Sequence, residues 1–347
     1  MGGTRVRVRI TQLDGKLPNL ALMRISAYHK KRGDEVYFTF SPKRHFWEQE
    51  YDRVYASCIF KFNTPRVTLM RCYFPDVIIG GSGVEDYDLV QIGKKKQTTV
   101  EGILGDPAPD MDYSIYPTFK ASLGFLQRGC RLDCSFCGVR KKEGQNHSVA
   151  TVYDIWRGEG FPKKLHLLDN DFFGNPQWRE RAEEIRSGGF KVCLNQGINI
   201  RFITDESAEA LASLEYRDDQ FQKRRLYTAW DNPKHEKLFF DGVDRLERYG
   251  IPPKNIMAYM LVGYWPDETW ERIWHRFNRM VEREIKPYVM VFDRNREDLL
   301  CFQRWANMGM YRIKGCSWPE YRRSTKSAES VAAFMQIGAN SKCLPTT

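Results

Sequence analysis

The sequence predicts an α/β protein built on parallel sheets: a small N-terminal sheet, then six further strand–helix units. Three observations carry this expectation. Short apolar strands alternate with segments of helical periodicity along most of the chain. Glycines and polar residues gather directly after several strands, where parallel sheets collect their ligands. The stretch GCRLDCSFCGVR, residues 129–140, sets Cys130, Cys134 and Cys137 at the end of one such strand.

Residues 4–10, TRVRVRI, alternate as a strand, and residues 20–32 carry Leu22, Ile25, Ala27 and Tyr28 at helical spacing before Gly33. Strands follow at 36–40, 53–59 and 76–79, the last ending in Gly80-Gly81-Ser82-Gly83. The segment between the third and fourth strands is too short for a long helix. Residues 1–105 are therefore expected to form a Rossmann-like domain. Residues 94–120 look like a connector, with periodicity broken by the KKKQTT run at 94–99 and by Pro107, Pro109 and Pro117, and residues 106–120 are assigned to it as a segment of their own.

From residue 121, strands are predicted at 121–127, 164–170, 191–197, 225–230, 256–262 and 288–292. Helices are predicted at 176–187, 207–215, 233–249, 268–285 and 295–308. Six units are too few to close an eight-fold barrel, so a partial (β/α)6 barrel over 121–308 is expected, with active residues at the carboxyl ends of its strands. Trp270, Ile273, Trp274, Phe277 and Val281 form one apolar stripe, a core face. Residues 309–347 form a C-terminal extension.

A length of 347 residues is ample for a sizeable core. The formal net charge of +10 is spread along the chain, which suits a nucleic-acid partner and a merely solubilising surface equally. No run approaches the roughly 18 apolar residues of a membrane helix, and MGGTRVRVRITQ lacks the apolar core of a signal peptide. A soluble, cytoplasmic protein with no membrane partner is expected. Nine cysteines, three of them clustered, fit a reducing compartment better than a disulfide framework.

The cluster is spaced C-x3-C-x2-C. A structural zinc site takes four ligands, usually two C-x2-C pairs or a cysteine pair answered by a histidine pair. No second pair exists: Cys58, Cys72, Cys193, Cys301, Cys316 and Cys343 stand singly, and His147 is the nearest imidazole. Three thiolates suit an iron-sulfur cluster with one iron left open. Spacing alone marks a three-thiolate metal site, and an incidental cysteine cluster or a three-cysteine zinc site has the same spacing. Cys301, Cys316 and Cys343 match no ligand pattern for a second cluster and read as buried single thiols.

With Phe136 in the aromatic place of C-x3-C-x-Φ-C, the motif resembles the hallmark of the radical S-adenosylmethionine superfamily. The resemblance implies that Cys130, Cys134 and Cys137 hold a 4Fe-4S cluster whose fourth iron is chelated by S-adenosylmethionine. It further implies that an external donor of flavodoxin or ferredoxin type supplies the electron releasing a 5'-deoxyadenosyl radical, which abstracts hydrogen from a substrate. It extends over residues 121–293. Asp169-Asn170-Asp171-Phe172 resembles the family's D-D/N-x-F element near the methionine amino group, and the run from Gln196 to Arg201 resembles its Q-x-x-N-x-R element, with Asn199 and Arg201 toward the cavity or the carboxylate. Trp230-Asp231 stand where ribose hydroxyls are contacted, with Tyr227 a further cavity candidate. The run from Gly263 to Thr269 resembles the G-x-P-x-E-T turn beside the adenine, with one extra residue before the proline, and Val262 and Tyr264 would flank that ring.

The N-terminal order resembles the cobalamin-binding domain of one branch of that superfamily, in which Ser57 and the pair Gly80-Gly81 would face the corrin and its nucleotide tail. No D-x-H-x-x-G occurs, so no histidine ligand to cobalt is implied. Three functions stay open: a radical enzyme performing cobalamin-dependent C-methylation, a cobalamin-free radical enzyme of oxidation, rearrangement or sulfur insertion, and a non-catalytic iron-sulfur or nucleic-acid-binding protein. The substrate is not legible.

Overall fold

The computed structural model describes residues 5–84, 90–92, 95–97, 100–105, 110–318 and 321. The chain is α/β, with parallel sheets in two compact units divided after Lys120.

In the first unit, β1 (Arg7–Gln12), α1 (Leu20–Lys31), β2 (Glu35–Thr39), β3 (Arg53–Ser57), α2 (Thr64–Tyr73) and β4 (Ile78–Gly80) form a parallel sheet of order β2-β1-β3-β4 with its helices. Val8 and Ile10 of β1 pack on Leu22, Met23 and Ile25 of α1, while Ala56 and Ile79 pack with Val67 and Met70 of α2. Both faces are covered, as parallel sheets require. The arginines that alternate in TRVRVRI therefore do not all reach water: Arg9 is 0 % exposed and pairs with buried Glu48 at 2.9 Å. It also donates to the Ser41 and Lys43 carbonyls.

The segment between β3 and β4 holds no long helix: α2 has ten residues and opens on Pro65 in its first turn. Two expectations for this unit need correction. The KKKQTT run is not bare connector, because β5 (Val90–Ile92) and β6 (Lys95–Gln97) pair antiparallel, followed by α3 (Val100–Leu104). Ile115 and Tyr116, expected in the connector, belong to the core of this unit. Pro107 and Pro109 lie outside the described residues.

The second unit runs β7 (Ser122–Gly124), β8 (Gln127–Arg128), α4 (Val139–Glu143), β9 (His147–Ser148), α5 (Val152–Ile155), β10 (Lys164–Leu167), α6 (Trp178–Ser187), β11 (Lys191–Cys193), α7 (Asp205–Ser213), β12 (Glu215–Tyr216), β13 (Leu226–Ala229), α8 (Glu236–Arg248), β14 (Ile256–Val262), α9 (Trp270–Glu282), β15 (Lys286–Val291) and α10 (Glu297–Asn307). Its parallel strands form two sheets, β12-β11-β10-β7 and β13-β14-β15. The loop after β11 links them: Ile198 N donates to Tyr227 O at 2.8 Å, and the Tyr259 hydroxyl to Asn195 O at 2.8 Å. One apolar core, from Leu165 and Val192 to Ile256, Phe277 and Phe302, runs beneath both sheets.

Here too the structure differs from the sequence reading. The strand expected over 121–127 stops at Gly124, because Leu126 and Gln127 give their N–H groups to the Asp169 carboxylate instead of to a neighbouring strand. Gln127 and Arg128 then pair antiparallel with Ser148 and His147. The helix expected over 207–215 ends at Ser213, and Tyr216, fully buried, enters the sheet edge. In the C-terminal extension, Cys316 and Trp318 are buried, and Trp318 packs edge-on against Phe302 and Trp305. Cys343 lies outside the described residues. Among the described residues no helix is long and apolar enough to cross a membrane.

Candidate functional site

The cysteine loop is closed at its base by the two-residue ribbon of β8 and β9. Gly129 opens it at φ 74°, and a Cβ there would lie 2.2 Å from Gln145 O, so only glycine fits. Glu143 is the principal brace. Its Oε2 accepts from Gly129 N (3.1 Å), Arg128 Nε (3.1 Å) and Asn170 Nδ2 (3.0 Å). The Gln127 amide donates to the Arg128 and Gly129 carbonyls, and Arg140 donates to Cys130 O at 2.9 Å. Within the loop, Cys137 N donates to Cys134 O (2.9 Å) and Leu132 N to Cys130 Sγ (3.4 Å).

Cys130, Cys134, Cys137 and Phe136 face a cavity of about 550 Å³. Asn170, Asn199, Arg201, Trp230, Asp231, His235 and Trp265 stand around the same space, delivered by the carboxyl ends of β10, β11, β13 and β14 and the loops beyond them. Burial pushes the Cys130 and Cys134 thiols up; Leu132 N opposes this at Cys130, and the Arg201 guanidinium at Cys134. Among the described residues no three His, Cys, Asp or Glu side chains have their donors gathered as a formed metal site. His147 is exposed, bonds Gln145 O and does not line the cavity.

Arg201 is held from two sides. Its Nε donates to Asn199 Oδ1 (3.1 Å), and its Nη1 meets His235 Nδ1 (2.9 Å), a contact that needs an unprotonated Nδ1. Burial, then the Arg201 charge, lowers the His235 pKa, in keeping with that state. Asp231 Oδ1 accepts from Leu261 N at 2.9 Å, and burial pushes the carboxyl up to about 6. Trp230 is buried and stacks on Phe239.

Other sequence candidates are placed differently. Asp171 does not line the cavity: its buried carboxylate pairs with Arg131, with Oδ2 2.6 Å from Nε. Its neighbour Asp169 is 2 % exposed and bonded only through Oδ1; burial pushes it up to about 7 against the pull of two backbone N–H groups. Val262 is wholly in the core. Tyr264 packs edge-on against Phe136 and Phe292 but is not in the lining; the extra residue before Pro266 puts Trp265 there, its indole N–H donating to Asp231 O at 2.9 Å. Tyr227 also stays out of the lining, stacked with Tyr259.

Sequence reasoning missed Glu143, Gln127, Arg131, His235, Trp265 and Arg276. Only Arg276 left a usable signal, a charge falling on the buried face of α9 with Ile273, Phe277 and Met280. The guanidinium is fully buried and pairs with Glu268.

Ser57, Gly80 and Gly81 lie in the first unit. Ser57 is 4 % exposed, and its hydroxyl accepts from Asn19 Nδ2 at 2.8 Å. Gly80 pairs with Ser57 in register and accepts from Cys58 N. Gly81, at φ 111°, would put a Cβ 2.1 Å from Cys58 O. Between the ends of β1 and β3, where such a sheet would open for a ligand, the Asp14 carboxylate accepts from Ile59 N, Phe60 N and Asn63 Nδ2. Ser57 and Gly80 are thus bonded within the unit, and Gly81 is exposed. No protein-family model, curated protein or solved structure matches this chain.

Proposed function

We propose that the second unit is the partial (β/α)6 barrel of a radical S-adenosylmethionine enzyme, with a 4Fe-4S cluster held by Cys130, Cys134 and Cys137. The observation that carries this reading is one cavity shared by three thiols from a single braced loop, by polar side chains from three other strand ends and by Trp265 from a fourth. The donor set fits: three soft sulfurs on one loop suit a cluster that keeps one iron open, whereas a closed zinc site would need a fourth ligand. When bound, the cluster and S-adenosylmethionine supply reductive cleavage to a 5'-deoxyadenosyl radical, at the expense of one electron from an external flavodoxin- or ferredoxin-type donor.

The chain's own residues bind, orient and shield. Arg201, fixed by Asn199 and His235, offers a rigid cation for a carboxylate. Asp231 and Asn170 offer polar contacts, although the Asn170 amide N–H is already engaged by Glu143. Phe136, Trp230 and Trp265 wall the space with aromatic surface, which keeps water from a reactive primary carbon radical and holds the substrate C–H in line. The hydrogen bonds already made by Ser57 and Gly80 favour a cobalamin-free reaction, and no step is assigned to cobalamin. Free thiols and an external reductant suit a cytoplasmic setting.

The test is anaerobic reconstitution with iron and sulfide, then dithionite and S-adenosylmethionine, with 5'-deoxyadenosine quantified. Product from the wild type and none from Cys134→Ala supports the reading. Retained zinc with neither cluster absorbance nor product overturns it. Cobalamin co-eluting with the protein would overturn the cobalamin-free part alone.

A further inference from the structure

Arg276 is a guanidinium in the interior of α9, 1 % exposed, and it does not line the cavity. The acceptors it reaches belong to the cavity wall, to the end of β14 and to the turn that follows. Nη1 donates to Trp230 O (3.3 Å) and Asp231 O (3.1 Å); Nη2 donates to Leu261 O (3.0 Å) and to Glu268. The other Glu268 oxygen accepts from Gly263 N. Asp231 is tied back to the same segment through Leu261 N and the Trp265 indole. One planar fork therefore knots the end of β13 to a stretch some thirty residues on, the end of β14 and the turn from Gly263 to Glu268 that follows it.

The ends of parallel strands leave carbonyls without a ladder partner, and a buried carbonyl must find a donor. A lysine could offer only a point charge on a flexible stem, whereas guanidinium geometry fixes several acceptors at once. An apolar residue of similar volume would fill the space but take this donor from the Trp230 and Leu261 carbonyls and leave Asp231 O with the Trp265 indole alone. A buried charge also needs its counter-charge, and Glu268 supplies it from the turn that carries Trp265.

We propose that Arg276 is a positioning residue: held by Glu268, it sets the Asp231–Trp265 wall of the cavity in the one arrangement that receives the nucleoside part of the cofactor. This rests on the cofactor reading above, and the test separates the two. Hydrogen exchange of the full-length protein, wild type and Arg276→Lys, reads the wall without any ligand; S-adenosylhomocysteine binding by calorimetry on the reconstituted protein reads its use.

The lysine variant should exchange roughly tenfold faster across 230–232 and 261–268, unchanged across 122–128, and bind S-adenosylhomocysteine roughly tenfold more weakly at equal iron content. Unaltered exchange in those segments, or unaltered affinity beside a wild type that binds, overturns the proposal. If exchange quickens while even the wild type binds no S-adenosylhomocysteine, the cofactor reading falls and the role of Arg276 shrinks to bracing. Should Arg276→Lys not fold, Glu268→Gln carries the same test, since it leaves the guanidinium in place and removes its counter-charge.

Discussion

Asp169→Asn should change how the stability of the second unit depends on pH. The carboxyl is buried, accepts Leu126 and Gln127 N–H groups through Oδ1, and has no hydrogen-bond partner at Oδ2. Burial raises it to about 7 from 3.8. Between those values the folded protein keeps a proton that the unfolded chain releases, so this group makes wild-type stability fall as pH rises through the window and level off above about 7. Over roughly three pH units at 1.36 kcal/mol each, the loss integrates to about 4 kcal/mol.

His166 works in the opposite sense, since burial lowers it to about 4 and the unfolded chain takes up its proton first on acidification. The wild-type curve therefore mixes two trends, and the difference between variant and wild type isolates Asp169. In acid the two proteins should be close, because the carboxyl proton and the amide N–H₂ meet the same unpartnered space. Near neutrality the variant should gain most of the 4 kcal/mol, read as a shift of the urea midpoint at about pH 4 and about pH 8. Tryptophan emission is the right probe, because eight of the nine tryptophans lie beyond residue 121. A variant-minus-wild-type difference that is the same at both pH values would refute the reasoning: Asp169 would then be ionised in the fold.

Gly81→Ala should destabilise the first unit by at least about 2 kcal/mol, since its Cβ would strike Cys58 O at 2.1 Å, whereas Gly33→Ala, at φ 82° with nothing within 4 Å, should cost only about 1 kcal/mol; paired thermal melts decide. Glu143→Gln loosens the brace shared by Gly129 N, Arg128 and Asn170. It should lower the affinity of the cysteine loop for iron by about tenfold, measured by competition with a chelator, and affinity equal to wild type would show that the loop holds its shape without Glu143.

Much of this architecture was legible because periodicity is a local property. The α9 stripe was read from its spacing, and Ile273 and Phe277 are buried where that spacing put them. The parallel α/β character followed from alternating strands and helices. The errors share one cause. β7 stops at Gly124 because a carboxylate 43 residues away takes the N–H of Leu126, and no local pattern near residue 124 records that. Ser213 to Glu215 favour a helix on local grounds, but burial of Tyr216 at the sheet edge draws Glu215 into a strand. Likewise no local pattern records that Trp265, and not Val262 or Tyr264 beside it, lines the cavity.

The sequence by itself determined the strand–helix alternation and the placing of three thiols on one short loop, because a side chain's spacing along one loop or helix is set by the backbone alone. Only the tertiary structure decided which residues hold that loop and wall that cavity. Glu143 and Arg276 act through backbone atoms of distant segments, and a hydrogen bond to a carbonyl or an amide leaves no mark on the identity of the residue that supplies it.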